Sequence, residues 1–172
     1  TEVGIETKFK NLKYPVIIAP THVDELLVTK VEDKGVRIGA SVTVNRFRDY
    51  ITSLVDNTAK NGLDTHMLRG LVAIRHQFVW FASNQIRNVA AIGGNIVTAS
   101  PIGDLNPMLI ALNATATVVS LSGGRRDVSM NDFFIGYRRV DLKPGEVLES
   151  VFIPFMEPFE FCVPLKQARR RE

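Results

Sequence analysis

The chain has 172 residues, 45% of them hydrophobic and 23% charged, a composition that suits a folded domain with an apolar core and excludes a disordered or low-complexity segment. Its net charge of +3 is scattered apart from Lys166 and the terminal "RRRE", so no basic stripe marks a nucleic-acid-binding surface. The single cysteine, Cys162, excludes an internal disulfide and a cysteine-based metal cluster, and no run of about 18 apolar residues suggests a membrane span.

The N-terminal "TEVGIETKFKN" has no initiator methionine and no signal-peptide layout. It starts as abruptly as "VPLKQARRRE" stops, which predicts a fragment of a longer protein. "YPVIIAP" (residues 14–20) is a β-branched apolar run between prolines and predicts a buried strand. Thr21 and Asp24 have capping-box spacing for a short helix or turn. "LVTKVEDKGVRIGAS" alternates on either side of Asp33, Lys34 and Gly35, as a hairpin does. The period then lengthens: Val44, Phe47, Ile51, Leu54 and Val55 share one helical face. Met67, Leu68, Leu71, Val72, Phe78 and Val79 predict a second helix ending near Trp80. "DLNPMLIALN" predicts a third helix, with Asp104 at or near its cap and Asn113 close to its end. "ATATVVSL" and "RRDVSM" around Ser122, Gly123 and Gly124 read as another hairpin, "EVLESVFIPF" as a further strand and "FCVPLKQA" as a last one. Helices mixed with hairpins, without repeating βαβ units, predict an α+β fold with antiparallel sheet in the second half. Neither a GxGxxG nor a GxxxxGK[ST] pattern is present, which argues against a Rossmann or P-loop site.

The chemistry concentrates in "IGGNIVTASPIGDLNP" (residues 92–107). Gly93 and Gly94 let the backbone approach a ligand closely. If "GNIVTAS" opens a helical turn, its free N–H groups form an anion site. Asn95 adds an amide, Thr98 and Ser100 add hydroxyls, Pro101 stops the helix, and Asp104 supplies a carboxylate acceptor. Two readings stand on this chemistry alone: a loop whose polar side chains cap its own turns, or a cradle for a nucleotide-like ligand. His22, His66 and His76 are isolated from one another and from any acidic pattern, so none reads as catalytic, and Cys162 reads as a small buried residue.

Residues 80–107, "WFASNQIRNVAAIGGNIVTASPIGDLNP", resemble the FAD-binding domain of the xanthine dehydrogenase family of molybdenum hydroxylases. "TEVGIETKFKN", "FFIGYRR", "LKPGEVLESVFIP" and "LKQARRRE" match the same family in the same order, so the resemblance spans essentially the whole chain. It implies an α+β FAD-binding domain of the PCMH-like type, truncated at both ends: residues 1–158 as that domain without its N-terminal part, and residues 159–172 as the start of the C-terminal flavoprotein subdomain. It also implies the cofactor contacts. Thr1, Glu2 and Val3 would be the remnant of a loop wrapping the FAD pyrophosphate, and Phe81 would lie against the flavin. Ala91, Ile92, Gly93, Gly94 and Asn95 would form the second, glycine-bearing loop. Asp104 would hydrogen-bond the cofactor, Leu148 would give an apolar wall, and Lys166 would place a cation near the ring. Tyr137 would stand on the NAD side. No catalytic residue and no metal ligand is implied within this chain.

The family's intact enzymes carry iron–sulfur (2Fe-2S) clusters and molybdopterin in other domains of one polypeptide and form homodimers. They hydroxylate purines at molybdenum and pass the electrons through FAD to NAD or oxygen. The resemblance therefore implies an oxidoreductase domain of purine catabolism, cytoplasmic or peroxisomal, with no nucleic-acid or membrane partner. Aldehyde oxidase is the sister alternative; Asn95, where those proteins often carry histidine, and "FFIGYRR" favour the xanthine dehydrogenase side. A third alternative is a fragment too short to bind FAD, and the absent front of the FAD loop implies weak binding by the isolated chain. Three positions depart from the common family pattern: Gly103 and Ala91 stand where serine is frequent, and Val79 where mammalian members have an arginine beside the tryptophan. Arg171 is left to stack on Trp80, a cation–π pair worth about 0.5–2 kcal/mol.

Overall fold

The computed structural model describes residues 1–166 and 168, so Arg171 and its stacking on Trp80 lie outside the described residues. A five-stranded antiparallel sheet runs β1 (Thr29–Glu32), β2 (Gly35–Gly39), β7 (Glu146–Pro154), β3 (Thr115–Ser120) and β4 (Gly124–Ser129) from edge to edge. Both predicted hairpins, β1–β2 and β3–β4, are present. β7 is the last of these in sequence and lies between the two hairpins. Register aligns Val36 with Ile153, Ile38 with Val151 and Ala116 with Val151. These side chains, with Val118 and Leu148, are buried. The β3–β7 pairing shifts register between Thr117 and Val118, the signature of a bulge.

Against the sheet and each other pack α2 (Val44–Asp56), α4 (Arg69–Gln77), α6 (Ile92–Thr98) and α7 (Asn106–Ala111), with α3 (Thr58–Asn61), α5 (Asn84–Val89) and α8 (Met130–Phe133) as short connectors. α2 forms for the reason its spacing gives: Val44, Phe47, Ile51 and Leu54 lie on one buried face. The Thr43 hydroxyl accepts from the Arg46 N–H at 3.3 Å, a cap worth about 1 kcal/mol. Phe47 meets Phe78 edge-on at 5.7 Å, and Phe78 meets Phe81 at 6.1 Å, so three rings tie α2 to the end of α4. A polar clasp joins α2 to α5: the buried Asn45 amide donates to Asn84 Oδ1 at 2.8 Å and its carbonyl accepts from Arg87 Nε at 3.3 Å.

The outer sheet face is polar. The Arg37 guanidinium grips Glu32 at 2.8 and 3.1 Å and donates to Thr117 at 3.0 Å and Ser150 at 3.3 Å. That guanidinium holds the Glu32 carboxyl down at about 2. A small second sheet pairs β5 (Phe134–Gly136) with β6 (Arg139–Val140).

Four expectations fail. Residues 14–20 form no strand, and residues 10–23 are exposed throughout; Val16, Ile17 and Ile18 are 74%, 62% and 84% exposed. A β-branched run becomes a strand only where a neighbour offers a hydrogen-bonding edge, and none of the described strands pairs with it. Residues 161–166 likewise form no strand. Thr21 and Asp24 make no capping box; a 3₁₀ turn over Asp24–Leu26 starts after Val23 with no side-chain cap. Cys162 is partly exposed rather than fully buried, although burial still pushes its thiol up. Because Ile18 touches little, Ile18→Lys is expected to change stability by less than about 0.5 kcal/mol in urea denaturation. A loss above about 1.5 kcal/mol would show that the segment packs as a strand after all.

Candidate functional site: a glycine-bearing turn, an acid–lysine pair and a tyrosine groove

The glycine-bearing stretch does open a helix. Ala91 stands before α6 in extended conformation, and a bridge to Thr43 anchors it beside α2. The free N–H groups expected there are mostly not free. Ile92 N–H donates to Val42 O at 2.9 Å, Gly93 N–H to Ala40 O at 2.8 Å, and Asn95 N–H to Ala91 O at 3.0 Å. The loop between β2 and α2 therefore occupies the positions an anion would need, and a broad anion site at this helix start is ruled out. The two glycines also divide their roles. A Cβ on Gly93 would stand 2.6 Å from Ala40 Cβ and 2.9 Å from its carbonyl oxygen, so Gly93 exists for backbone packing. A Cβ on Gly94 would meet no atom within 4 Å; this exposed glycine leaves the backbone open to a ligand. Beside it, Asn95 Oδ1 is buried and has no hydrogen-bond partner among the described residues. Buried polar atoms are nearly always satisfied, so this one calls for a donor from outside the described residues.

Thr98 does not face a ligand with its hydroxyl, which bonds back to Gly94 O at 2.7 Å within α6. The helix ends at Ala99 in left-handed conformation (φ 45°), and a turn closed by Gly103 N–H to Ser100 O at 2.9 Å leads to Asp104. Asp104 is not the cap of α7, which starts after Leu105 with Pro107 in its first turn. Its carboxylate is engaged instead. Lys166 Nζ lies 2.9 Å from Oδ1 and 3.1 Å from Oδ2, and donates as well to the Trp80 carbonyl at 3.2 Å. Gln77 Nε2 donates to Oδ1 at 3.2 Å. Residues far apart in sequence, Asp104 and Lys166, thus meet at the end of α4. Their side chains keep 21% and 24% exposure, enough for a ligand to reach them.

Gly103 and Asn106, close to Asp104 in the chain, line a groove of about 340 Å³ with Ser100, Phe134 and Tyr137 among others, while neither Asp104 nor Lys166 lines it. Tyr137 is 77% exposed on its rim. Asn106, only 6% exposed, has an Oδ1 with no hydrogen-bond partner among the described residues.

The remaining sequence-predicted residues fall into two groups. Phe81 and Leu148 are core residues, 7% and 5% exposed; Phe81 packs on Phe78 while its carbonyl accepts from Arg87 at 2.7 Å. Thr1, Glu2 and Val3 do not form a wrapping loop: Thr1 caps α1 (Glu2–Phe9), which buries no residue. Glu2 pairs with Arg138 at 3.3 Å, next to Tyr137. No hydrogen bond joins residues 91–95 to Asp104 or Lys166 among the described residues. Gln77 and Asn106 were missed. Gln77 carried a signal, since a polar residue interrupts the apolar face of Leu71, Ile74, Phe78 and Phe81; Asn106 carried none.

Residues 1–156 match the family model described as FAD binding domain in molybdopterin dehydrogenase. The chain belongs to this family. Relatives agree along the whole of this chain. It is 47% identical over 172 residues to "Xanthine dehydrogenase" of Oryza sativa subsp. japonica and 49% identical over 176 residues to that of Dictyostelium discoideum; each alignment covers 100% of this chain. The chain spans only 12% and 13% of those relatives' own length. Among solved structures, "Reconstituted CO dehydrogenase from Oligotropha carboxidovorans" superposes with a TM-score of 0.63 at 25% identity, over 77% of this chain and 41% of that one. Quinoline 2-oxidoreductase from Pseudomonas putida 86 gives 0.72 at 24% identity over 89% of this chain and 48% of that one, which establishes the shared fold. The α+β architecture with its antiparallel sheet is therefore that of the molybdenum hydroxylase FAD-binding domain.

The residues fit FAD. The open backbone at Gly94, the unpartnered Asn95 Oδ1 and the reachable Asp104–Lys166 pair supply close approach, an acceptor, a carboxylate and a cation. Among the described residues no group of three or more His, Cys, Asp or Glu is placed to hold a metal ion, and no helix is long and apolar enough to cross a membrane.

Proposed function

We propose that this domain is the electron-delivery end of a purine-hydroxylating enzyme, receiving electrons from iron–sulfur clusters and a molybdopterin centre in other domains of the same polypeptide and passing them to NAD or oxygen. The observation that carries the reading is the Asp104–Lys166 pair, two residues along the chain from the Asn106 wall of the Tyr137 groove. FAD, when bound, supplies the couple that accepts electrons and releases them as hydride or singly. The chain's residues do the rest. Gly94 admits the cofactor to the backbone, and Asn95 Oδ1 takes a donor from it. Asp104 accepts a hydroxyl or ring N–H, and Lys166 sets a positive charge where the reduced ring is negative. Leu148 and Phe81 give the apolar backing from the core. Tyr137 offers a flat, exposed ring on the acceptor side.

The names of the relatives favour xanthine dehydrogenase over aldehyde oxidase. Under the same reading residues 1–158 form the FAD-binding unit and residues 159–172 lead into a further subdomain. The full protein is a cytoplasmic homodimer. The groove gives the test. In the full-length protein, Tyr137→Ala is expected to weaken NADH binding about tenfold, loss of one stacking partner, while FAD content and electron transfer to oxygen stay at parental levels. Unchanged NADH affinity would place the acceptor site elsewhere.

A further inference from the structure

Resting on the reading of Asp104 and Lys166 as cofactor contacts, we propose that Gln77 is the positioning residue that fixes the Asp104 carboxylate for the cofactor. Gln77 is the last residue of α4 and is 6% exposed, an amide placed in an otherwise apolar face. It is not close enough to solvent to be there for solubility, and burying an amide is unfavourable unless it is hydrogen-bonded. Its hydrogen-bond partner is the carboxylate of the candidate site: Nε2 donates to Asp104 Oδ1 at 3.2 Å.

The end of α4 holds both members of the pair. Gln77 takes Asp104 Oδ1, and three residues on the Trp80 carbonyl takes the Lys166 ammonium at 3.2 Å. Lys166 otherwise contacts both carboxylate oxygens, at 2.9 and 3.1 Å. Lysine is a flexible cation, and a carboxylate held by it alone would turn wherever the ammonium moved. With Oδ1 fixed by Gln77, Asp104 cannot rotate to follow Lys166. Oδ2, which accepts from Lys166, has a second lone pair for a cofactor hydroxyl or N–H, and its direction is set by Gln77. Gln77 does not touch the cofactor; it acts through Asp104.

The test uses the full-length protein, FAD as the titrant and two variants that keep the side chain's length. Gln77→Met removes the donor, and Gln77→Glu donates only when its carboxyl is protonated, which burial and the facing Asp104 carboxylate favour at mildly acidic pH. Gln77→Met is expected to raise the FAD dissociation constant about tenfold at every pH. Gln77→Glu is expected to bind as weakly near about pH 8 and to recover most of the loss near about pH 5, where it donates as Gln77 does. The proposal is overturned if Gln77→Met binds within about twofold of the parent, or if Gln77→Glu and Gln77→Met are equally weak across the whole range, which is the behaviour of a packing residue. Asp104→Ala in the same titration separates this from the site reading. If it leaves FAD affinity unchanged, Asp104 is no cofactor contact and the site reading itself fails. If it weakens binding while Gln77→Met does not, only the role of Gln77 is lost.

Discussion

Gly93→Ala is expected to destabilise the domain by about 2–3 kcal/mol, while its neighbour Gly94→Ala is expected to leave stability unchanged or raise it by up to about 1 kcal/mol. The two residues are adjacent in one helix, and the substitution is the same. The surroundings differ. The new methyl at position 93 would press on Ala40 Cβ at 2.6 Å and on the Ala40 carbonyl at 2.9 Å, the same carbonyl that the Gly93 N–H donates to. Backbone cannot yield as a side-chain tip does, so either α6 moves off the β2–α2 connection or that hydrogen bond breaks. At position 94 there is open space, and alanine is the better helix former. Ala40→Gly would remove one of the two clashes at position 93 and is expected to return part of the loss. Urea denaturation followed by circular dichroism measures all three. Equal losses at both positions would mean that the glycines serve backbone flexibility in general rather than two separate tasks.

Asp104→Ala is expected to weaken FAD binding to the full-length protein about 100-fold. Two groups lose the Asp104 carboxylate at once: the Lys166 ammonium, which keeps only the Trp80 carbonyl among the described residues, and the buried Gln77 amide. A hydrogen bond to a charged group is worth about 1.5–3 kcal/mol, and the direct contact to the cofactor goes as well. Flavin fluorescence during titration reads the change. Affinity within about threefold of the parent would show that the acid–lysine pair is an internal strut of the fold.

Much of the scaffold was legible because short-range rules decide it. Val44, Phe47, Ile51 and Leu54 recur at helical spacing, and both hairpins carry turn residues between alternating runs. Where a long-range partner decides, the sequence misled. Residues 14–20 have strand composition, yet an edge to pair with is a property of the assembled sheet and not of the segment. The site shows the same division. The expectation that "GGN" and Asp104 belong to a cofactor site came from the family resemblance, since the residue types alone left a self-capping turn open. The local chemistry did not reveal that Val42 and Ala40 consume the helix-start N–H groups, because these acceptors lie some fifty residues upstream. Gln77 could have been found: an amide at a core position of a helix is an anomaly that requires a partner.

The most direct test is a cryo-EM or crystal structure of the full-length protein with FAD, read for the distances from the cofactor to Gly94 N, Asn95 Oδ1, Asp104 Oδ2 and Lys166 Nζ. FAD is expected within hydrogen-bonding reach of these atoms, with Asn95 Oδ1 no longer orphaned and Gln77 still on Asp104 Oδ1. FAD bound with Asp104 and Lys166 still closed on each other, and no contact to Gly94 or Asn95, would contradict the site proposed for this domain.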